Sequence, residues 1–531
     1  MDVHWLSLAA FVAIAVATVA VGLFATRVVR TTHDVYIASR AVGPVLNASA
    51  ISGEYLSAAS FLGVAGMVMK FGYDVLWYPV GYAAGYLLLL LFVAAPLRRF
   101  GAYTLPDFAE GRFNVPAMRR LAVLFVLLIG VFYMLPQMKG AGLAVQTVTG
   151  LPYWVGVVGV GGVIALNVAL GGMKGITFVQ AFQFWVKAFA ISLPVFVLLA
   201  VFGSYGAHWE QATAQPPPAL AAAIASGHAP GANWGLPFGP LAEQQGHALL
   251  FTYSLIVATV FGTAGLPHIL VRFYTNRDGH AARQTTLVVL ALIGWFYLFP
   301  PILGLLGRVH APDLYVGDRT DALLLELPGR LPQPWLAELL RAVTAAGAFA
   351  AFLSTTSGLL VAVAGALAHD LYAQTFRPGA DQRERLLAFR LAALLAGAVA
   401  IVGGLQMERY HINMLVGWAF AISASAFFPL LVLGIWWRGL TAIGAAAGTL
   451  LGGTLASAAI LYTMATSAGE QPATLLATLL AQPAIWTIPV AFGTTVVVSL
   501  LTRERVPPDV NLKMLRLHAP EALGLRTSYL Q

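Results

Sequence analysis

Apolar stretches long enough to cross a bilayer recur along almost the whole chain, and this pattern constrains the fold more than any motif does. We count about thirteen windows of roughly 20 residues, the length at which a helix spans the hydrocarbon layer. Hydrophobic residues make up 59% of the sequence and charged residues only 10%. The pattern predicts an all-α, polytopic membrane protein in contact with the lipid bilayer. The predicted spans are residues 4-26, 43-70, 75-97, 118-149, 151-172, 175-204, 247-272, 281-308, 338-370, 385-405, 411-437, 439-463 and 480-502.

Basic residues are concentrated in the loops that follow the odd-numbered predicted spans. Arg98, Arg99 and Arg112 follow the third span, for example, whereas loops 205-246 and 464-479 contain no Lys or Arg. Because Lys and Arg are retained on the cytoplasmic side, we expect an external N-terminus and a cytoplasmic C-terminus in the plasma (inner) membrane. The net charge of +8 reflects this bias, and no other feature points to a nucleic-acid partner.

The second predicted span is interrupted by small and charged residues in the stretch ISGEYLSAASFLG, residues 51-63. A lone Gly or Ser at this depth is typical of close packing between helices. The cluster of Ser52, Gly53 and Glu54 instead predicts a break at Ser52, because carbonyls freed in hydrocarbon are costly unless a cavity or a ligand satisfies them. The seventh span carries a second predicted break, where Pro267 removes a backbone amide.

The positions of the two breaks indicate the topology. If the first span is an appendage, spans two to six and seven to eleven form two five-helix units, each opening with a broken helix and inverted relative to the other. Paired broken helices are the sequence signature of a secondary transporter with its site at the middle of the membrane. The expected segments are 1-42 (extra helix and cytoplasmic loop), 43-204 (first repeat), 205-246 (external loop), 247-437 (second repeat), 438-502 (two C-terminal helices) and 503-531 (cytoplasmic tail).

Ionisable residues deep inside predicted spans indicate what the site binds. We place Glu54, Lys139 and Lys187 there, and such residues are costly in hydrocarbon and usually functional. One carboxylate and two ammonium groups leave one positive charge, which favours a monovalent anion as the solute. The alternative is that Glu54 only pairs with a lysine and holds helices together. No nucleotide-binding loop, zinc-ligand spacing or nucleophile elbow is present, so no catalytic residue is predicted.

Five stretches of the sequence carry a resemblance to a known family: ISGEYLSAASFLG, YTLPDFAEGRF, GGMKGITFVQAFQ, GTAGLPHILVRF and FLSTTSGLLVAVAGALAHDLY. Together they resemble the sodium:solute symporters, and within that family the cation/acetate permeases, over roughly residues 3 to 505. The resemblance implies a leucine-transporter-like fold of inverted five-helix repeats, with one extra N-terminal and two extra C-terminal helices. It also implies that solute uptake is coupled to inward sodium movement.

The resemblance further implies where sodium, the co-transported ion, binds. The family's cation lies between the broken first core helix and the eighth core helix, which are spans two and nine here. The alternative for Ser and Thr side chains is a hydrogen bond back to their own helix. Relatives with a second sodium carry an Asp where this chain has Gln180, so we expect one sodium per cycle, with proton coupling as the alternative. The matching positions are the carbonyls of Ala48, Ile51 and Ala351 and the hydroxyls of Ser354 and Thr355.

The acetate-permease resemblance favours a short-chain monocarboxylate such as acetate as the solute. The alternatives are another small solute, such as the amino acid proline, and a transporter-like membrane sensor, although the tail after residue 501 is short for an output domain. The sequence does not predict the oligomeric state. We expect segment 309-337 to form an external hairpin or lid, and His369 and Asp370 to lie at a helix terminus. The residues expected to shape the substrate pocket are Ser52, Glu54, Tyr55, Gln137, Lys139, Lys187 and Thr263.

Overall fold

The computed structural model describes residues 4-26, 42-236, 247-466, 474-519 and 523. Within these ranges the chain is almost entirely helical. Twelve stretches of the described chain are long and apolar enough to cross a membrane. The predicted class, an all-α protein with multiple membrane spans, is therefore confirmed.

Ten α-helices lie in the described chain up to residue 236. A π-helical segment, Ala59–Gly63, precedes α3, and another, Leu89–Val93, joins α4 to α5. In chain order the helices are α1 (Trp5–Thr26), α2 (Pro44–Tyr55), α3 (Val64–Phe71), α4 (Trp77–Leu88), α5 (Ala94–Phe100), α6 (Leu105–Phe113), α7 (Pro116–Thr149), α8 (Tyr153–Phe202), α9 (Tyr205–Thr213) and α10 (Pro218–Ala225).

Twelve further α-helices follow in the described chain. Short 3₁₀ segments, such as Pro312–Tyr315 and Thr320–Ala322, build the connection between α14 and α16, and a π-helix, Ala366–Phe376, extends α16. The helices are α11 (Ala248–Gly265), α12 (Pro267–Phe273), α13 (Gly279–Phe296), α14 (Phe299–His310), α15 (Leu323–Glu326), α16 (Pro334–Gly365), α17 (Gln382–Gly404), α18 (Ile412–Trp436), α19 (Ala442–Thr466), α20 (Leu475–Ala481), α21 (Ala484–Leu501) and α22 (Val510–His518).

The predicted second and third spans share one of the twelve membrane-crossing stretches, Ala59–Phe100. Its 42 residues as a straight helix would extend about 63 Å, roughly twice the hydrocarbon thickness. A 3₁₀ turn, Gly72–Leu76, divides it, and Gly72 has a φ of 80°, which glycine adopts without strain. The turn therefore separates the second half of predicted span two from predicted span three within this stretch.

Helix α8 continues through residues 171-174, where the sequence predicted the boundary between two spans. Its contacts with α1 show that it is not straight. Thr18 bonds to Gln183, and Gly22, four residues after Thr18, lies against Asn167, sixteen residues before Gln183. Sixteen residues of straight helix rise about 24 Å, against about 6 Å for four. The helix therefore bends sharply, and its two arms correspond to the two predicted spans.

The sequence predicted the first break at Ser52. In the structure the break lies four residues later, at Leu56 and Ser57. The helix continues through the small residues because they serve packing. A side chain at Gly53 would overlap the backbone carbonyl of Gln180 on α8. Small residues at such crossings allow two backbones to approach closely. The glycine therefore marks a helix contact, and the break follows it.

The second break lies where the sequence predicted it. Helix α11 ends at Gly265 and α12 begins at Pro267, because proline has no amide to continue the helix but fits the first turn of a new one. Gly262 packs against the backbone of α18, and Ser423 of α18 donates a hydrogen bond to the carbonyl of Gly262 at 3.1 Å. The second broken helix is thereby fixed against α18.

Candidate ion and substrate site

The first break leaves the last carbonyl groups of α2 without helical partners, as at any helix C-terminus. The amide of Leu56 bonds to the carbonyl of Ser52, which is the last carbonyl paired within the helix. The carbonyls of Ala48 and Ile51 precede it and lie inside continuous α-helix, so the break does not release them. The freed carbonyls begin at Gly53 instead.

Helix α16 presents hydroxyl groups to these freed carbonyls. Ser354 Oγ lies 2.6 Å from the carbonyl oxygen of Gly53 and 3.0 Å from that of Ala351. Thr355 Oγ1 lies 2.5 Å from the carbonyl oxygen of Glu54. Both hydroxyl side chains are fully buried. The structure thus brings Ala351, Ser354 and Thr355, the three predicted sodium ligands of α16, to the first break. The two hydroxyl groups face the carbonyls of Gly53 and Glu54, which come later in α2 than the predicted carbonyl ligands.

The ammonium group of Lys187, on α8, lies in the same pocket. It donates hydrogen bonds to the carbonyl of Gly53, to the carbonyl of Leu56 at 2.7 Å and to Ser354 Oγ at 2.9 Å. None of its surface is exposed. Neutral oxygen atoms are the ligands that a small hard cation prefers, and here they surround a cation that belongs to the protein.

Glu54 pairs with an arginine and not with a lysine. Arg272 Nε lies 2.7 Å from Glu54 Oε2, and both side chains are buried. The guanidinium group also donates to Thr177 Oγ1 at 2.9 Å and to Gln180 Oε1. The Gln180 amide in turn donates to the carbonyl of Ser354 at 2.8 Å. A continuous polar network therefore connects α2, α8, α12 and α16.

The charged residues at the first break are Glu54, Lys187 and Arg272. One carboxylate and two cations again leave one positive charge if all are ionised, but the second cation is not the predicted Lys139. Lys139 Nζ lies 3.6 Å from Asp321 Oδ2, and Asp321 belongs to the predicted lid segment. Lys139 also donates a hydrogen bond to the carbonyl of Tyr410, so its ammonium group lies away from the charged group at the break.

Aromatic side chains line the site next to the break. The hydroxyl of Tyr55 lies 2.8 Å from Thr263 Oγ1, so the two broken helices are joined at this point. The ring of Tyr55 packs edge-on against Tyr86 and Tyr82, with centroids 4.8 and 5.6 Å away. Phe420 of α18 lies 5.1 Å from the ring of Tyr82. Two predicted substrate residues, Tyr55 and Thr263, are thus part of one buried aromatic wall.

Several buried polar groups around the breaks have no hydrogen-bond partner within the described part of the chain. They are Ser52 Oγ, Tyr86 OH, Gln137 Nε2 and both ring nitrogens of His268. Gln137 is held in place by its other atom, because its Oε1 accepts a hydrogen bond from the amide of Ala58 at 3.0 Å. Buried polar groups in folded proteins are normally satisfied, so these atoms are candidates to bind a polar ligand.

A small cavity lies beside the second broken helix. Pro267 and Val271 of α12 contribute to its lining, and so do Tyr103 and Thr104 in front of α6. Thr104 also donates to Asp370 Oδ1 at 3.0 Å. The cavity therefore extends from the second broken helix toward the end of the bundle where the arginine-rich connections lie.

An ion-pair network closes this end of the bundle. Arg119 Nη1 lies 2.5 Å from Asp107 Oδ1 and 2.6 Å from Asp370 Oδ1, and His369 Nε2 lies 3.3 Å from Asp107 Oδ2. The three acidic and imidazole groups lie close enough together to hold a metal ion, but the guanidinium group already lies between the carboxylates. His369 and Asp370 lie inside the π-helix Ala366–Phe376 and not at a helix terminus as expected.

Two buried polar residues of the second broken helix were missed by the sequence reasoning. Arg272 is the last residue of predicted span 247-272 and was counted with the basic residues that follow that span, and His268 was not considered. A signal for both was present in GTAGLPHILVRF, because a break at Pro267 implies a second half-helix that continues inside the protein. Arg272 lies five residues after that proline, within α12.

Comparison with known proteins identifies the family. The model of the sodium:solute symporter family matches residues 35–452. This chain belongs to the sodium:solute symporter family. It is 34% identical over 499 residues to the uncharacterized symporter YwcA of Bacillus subtilis (strain 168), a match that covers 91% of both chains. Membership of this family identifies sodium as the co-transported ion.

Solved structures show the same fold. A substrate-bound, outward-open Na⁺-coupled sialic acid symporter is similar with a TM-score of 0.71 and 13% identity, over 93% of this chain and 97% of that chain. The inward-facing conformation of Mhp1 is similar with a TM-score of 0.51 and 16% identity, over 90% and 96% of the two chains. These similarities confirm the leucine-transporter-like fold.

Proposed function

We propose that this symporter couples the inward movement of one sodium ion to the uptake of a short-chain monocarboxylate such as acetate. The observation that carries this proposal is the buried group of Glu54, Lys187 and Arg272, which has one excess positive charge when all three are ionised and lies beside unpaired hydrogen-bond donors. A monocarboxylate supplies one negative charge, and its two oxygen atoms accept hydrogen bonds but cannot donate them. The solute therefore matches the site in both charge and hydrogen bonding.

The unpaired donors suit a small carboxylate. Ser52 and Tyr86 offer hydroxyl protons, and Gln137 offers an amide proton, while the aromatic wall suits a short alkyl group. An amino acid such as proline would bring an ammonium group of its own. That group would be repelled by the excess positive charge of the site, so we place amino acids second.

We propose that sodium binds between α2 and α16, at the oxygen atoms of Ala351, Ser354 and Thr355. The freed carbonyls of Gly53 and Glu54 supply the contribution from α2 that the sequence assigned to two earlier carbonyls. Gln180 supports the count of one sodium, because its neutral amide does not add the charge that a second cation would need. With the N-terminus outside and the C-terminus in the cytoplasm, the cavity beside α12 leads to the cytoplasmic side of the plasma membrane.

Uptake into proteoliposomes tests this function. Labelled acetate, propionate, pyruvate and proline are offered separately, with a sodium gradient or a proton gradient imposed alone. We expect the monocarboxylates to accumulate only with the sodium gradient and proline not to accumulate. Accumulation of proline, or uptake driven by the proton gradient alone, would contradict the proposal.

A pair of variants on α16 tests the ion site in the same assay. Ser354→Ala with Thr355→Ala removes two ligands, so the sodium concentration for half-maximal uptake should rise many-fold. The matched control is Thr356→Ala with Ser357→Ala, because these hydroxyls donate only to the carbonyls one turn earlier on their own helix. Equal sodium dependence of the two double variants would exclude this site.

A further inference from the structure

Lys187 and a sodium ion need the same oxygen atoms. The ammonium group bonds to Ser354 Oγ, which is a proposed sodium ligand, and to the carbonyl of Gly53, which Ser354 also contacts. Two cations in contact with one hydroxyl oxygen lie only a few ångströms apart and repel strongly in a buried site. Lys187 in its present position and a sodium ion therefore exclude each other.

We propose that the ammonium group of Lys187 and a sodium ion occupy this pocket alternately, so that sodium binds when Lys187 leaves. This inference rests on the proposed location of the sodium site. Glu54 offers the displaced ammonium an acceptor, since its Oε1 has no hydrogen-bond partner within the described part of the chain. The lysine can thus exchange neutral oxygen atoms for a carboxylate when sodium arrives.

The exchange gives the freed carbonyl of Gly53 a cation as partner in both states of the transport cycle. Without sodium and without Lys187, the carbonyl of Leu56 would be buried and unpaired at the break and that of Gly53 would keep only the hydroxyl of Ser354, which is unfavourable in a medium without water. Lys187 satisfies both of them in the sodium-free protein. Lys187 thereby stabilises the protein without bound sodium, the state that must change conformation before the next cycle. The lysine acts as a competitor of sodium that belongs to the protein itself.

Sodium binding to the purified full-length protein tests this exchange without any solute. Equilibrium binding of ²²Na⁺ is measured for the wild type, Lys187→Met and Lys187→Met with Ser354→Ala. Removing the competitor should lower the dissociation constant for sodium about tenfold, a typical size for coupling between ligands. The double variant should lose this gain. Lys513→Met is the matched control, because Lys513 is also a buried lysine that donates to a carbonyl oxygen, but at the C-terminal helix α22.

Lys187→Gln keeps the test valid if the methionine variant does not fold. The glutamine amide can still donate to the carbonyls of the break but carries no charge, so it should also bind sodium more tightly than the wild type does. An unchanged or weaker sodium affinity in either folded lysine variant would overturn the exchange. If that result accompanies sodium-driven uptake by the wild type, only the exchange fails. Uptake without sodium dependence would instead refute the proposed function.

Discussion

Gly358 lacks a side chain at the point where α16 meets the carboxylate of Glu54. A Cβ atom at this position would overlap Glu54 Oε1, so Gly358→Ala must displace the carboxylate from Arg272. We expect at least about a tenfold loss of uptake and a lower melting temperature, although alanine favours a helix over glycine by about 1 kcal/mol. Uptake and thermal unfolding in detergent measure the two effects.

Gly162→Ala is the control for this substitution. Gly162 also lies inside a long helix, α8, but no atom lies near the position of its missing Cβ. This variant should keep its uptake and gain a little stability, because only the helix preference changes. Equal effects of the two substitutions would show that the close contact between Gly358 and Glu54 affects neither uptake nor stability.

The pairing of Glu54 with Arg272 can be measured by a double-mutant cycle. Glu54→Gln and Arg272→Gln each leave a buried charge without its partner, which we expect to cost about 3 kcal/mol or more of unfolding free energy. The double variant should be more stable than the sum of the two effects predicts. Thermal unfolding of the four proteins gives the coupling energy.

Lys187 supplies the comparison for that cycle. Its hydrogen bonds go to carbonyl and hydroxyl oxygens, so the cycle of Glu54→Gln with Lys187→Gln should show a smaller coupling energy than the cycle with Arg272. A larger coupling for the lysine than for Arg272 would restore the interpretation that Glu54 pairs with a lysine.

At the scale of helices, the two breaks differ in how far the sequence could locate them. The break at Pro267 has a local cause, the missing amide, and the sequence located it correctly. The break after Tyr55 has a distant cause. Gly53 is required by the approach of α8, a contact between residues far apart in the chain, and no local pattern distinguishes this glycine from one that breaks a helix.

The same distinction applies to the side chains of the site. Ser354 and Thr355 were predicted at the break because their spacing on one helix is a local property that the family resemblance supports. The partner of Glu54 could not be assigned in this way, because it depends on how deeply α12 enters the protein. Lys187 was predicted to be buried, but its hydrogen bonds to the break follow only from the packing of α8 against α2.

The lid segment, residues 309-337, is fixed by two ion pairs of different burial. Asp321 lies 3.6 Å from Lys139, and both are buried, whereas Asp318 is half exposed and pairs with Lys70. Asp321→Asn removes the charged partner of a buried ammonium group, which keeps its hydrogen bond to the carbonyl of Tyr410, and should cost about 2 kcal/mol of unfolding free energy. Thermal unfolding and faster amide hydrogen exchange in the segment measure this loss.

Asp318→Asn is the exposed counterpart of that variant. A hydrogen bond from His411 holds the pKa of Asp318 well below its usual range, so the carboxylate is ionised at neutral pH. Because water screens this pair, its removal should cost less than about 1 kcal/mol. If Asp318→Asn destabilises the protein more than Asp321→Asn does, the exposed pair is the one that holds the segment.

For the whole molecule, the position of the site between two broken helices connects the fold to transport. In leucine-transporter-like folds the site lies near the middle of the membrane, and one group of helices moves against the other to expose it to either side. The cavity beside α12 is lined by Thr104, which bonds to Asp370. Asp370 belongs to the ion-pair network with Asp107 and Arg119 at that end of the bundle. Opening toward that end therefore requires this network to rearrange.

The charge balance of the whole cycle gives the last prediction. One sodium ion and one monocarboxylate carry no net charge together, and Lys187 stays within the protein during its exchange with sodium. The membrane potential, worth about 2.3 kcal/mol per charge per 100 mV, should then do no net work on the cycle. The steady accumulation ratio should follow the sodium concentration ratio alone, which supplies about 1.4 kcal/mol for each tenfold difference.

Proteoliposomes that contain potassium and valinomycin test this balance directly. The potential is first clamped to zero, and an inside-negative value is then imposed at the same sodium gradient. We expect the same accumulation ratio of acetate under both conditions. A large rise would mean that a second cation or a neutral solute is carried, because only net positive charge moves down an inside-negative potential. A change in the initial rate alone is compatible with the prediction, since voltage can act on one partial step without changing the energy of the complete cycle.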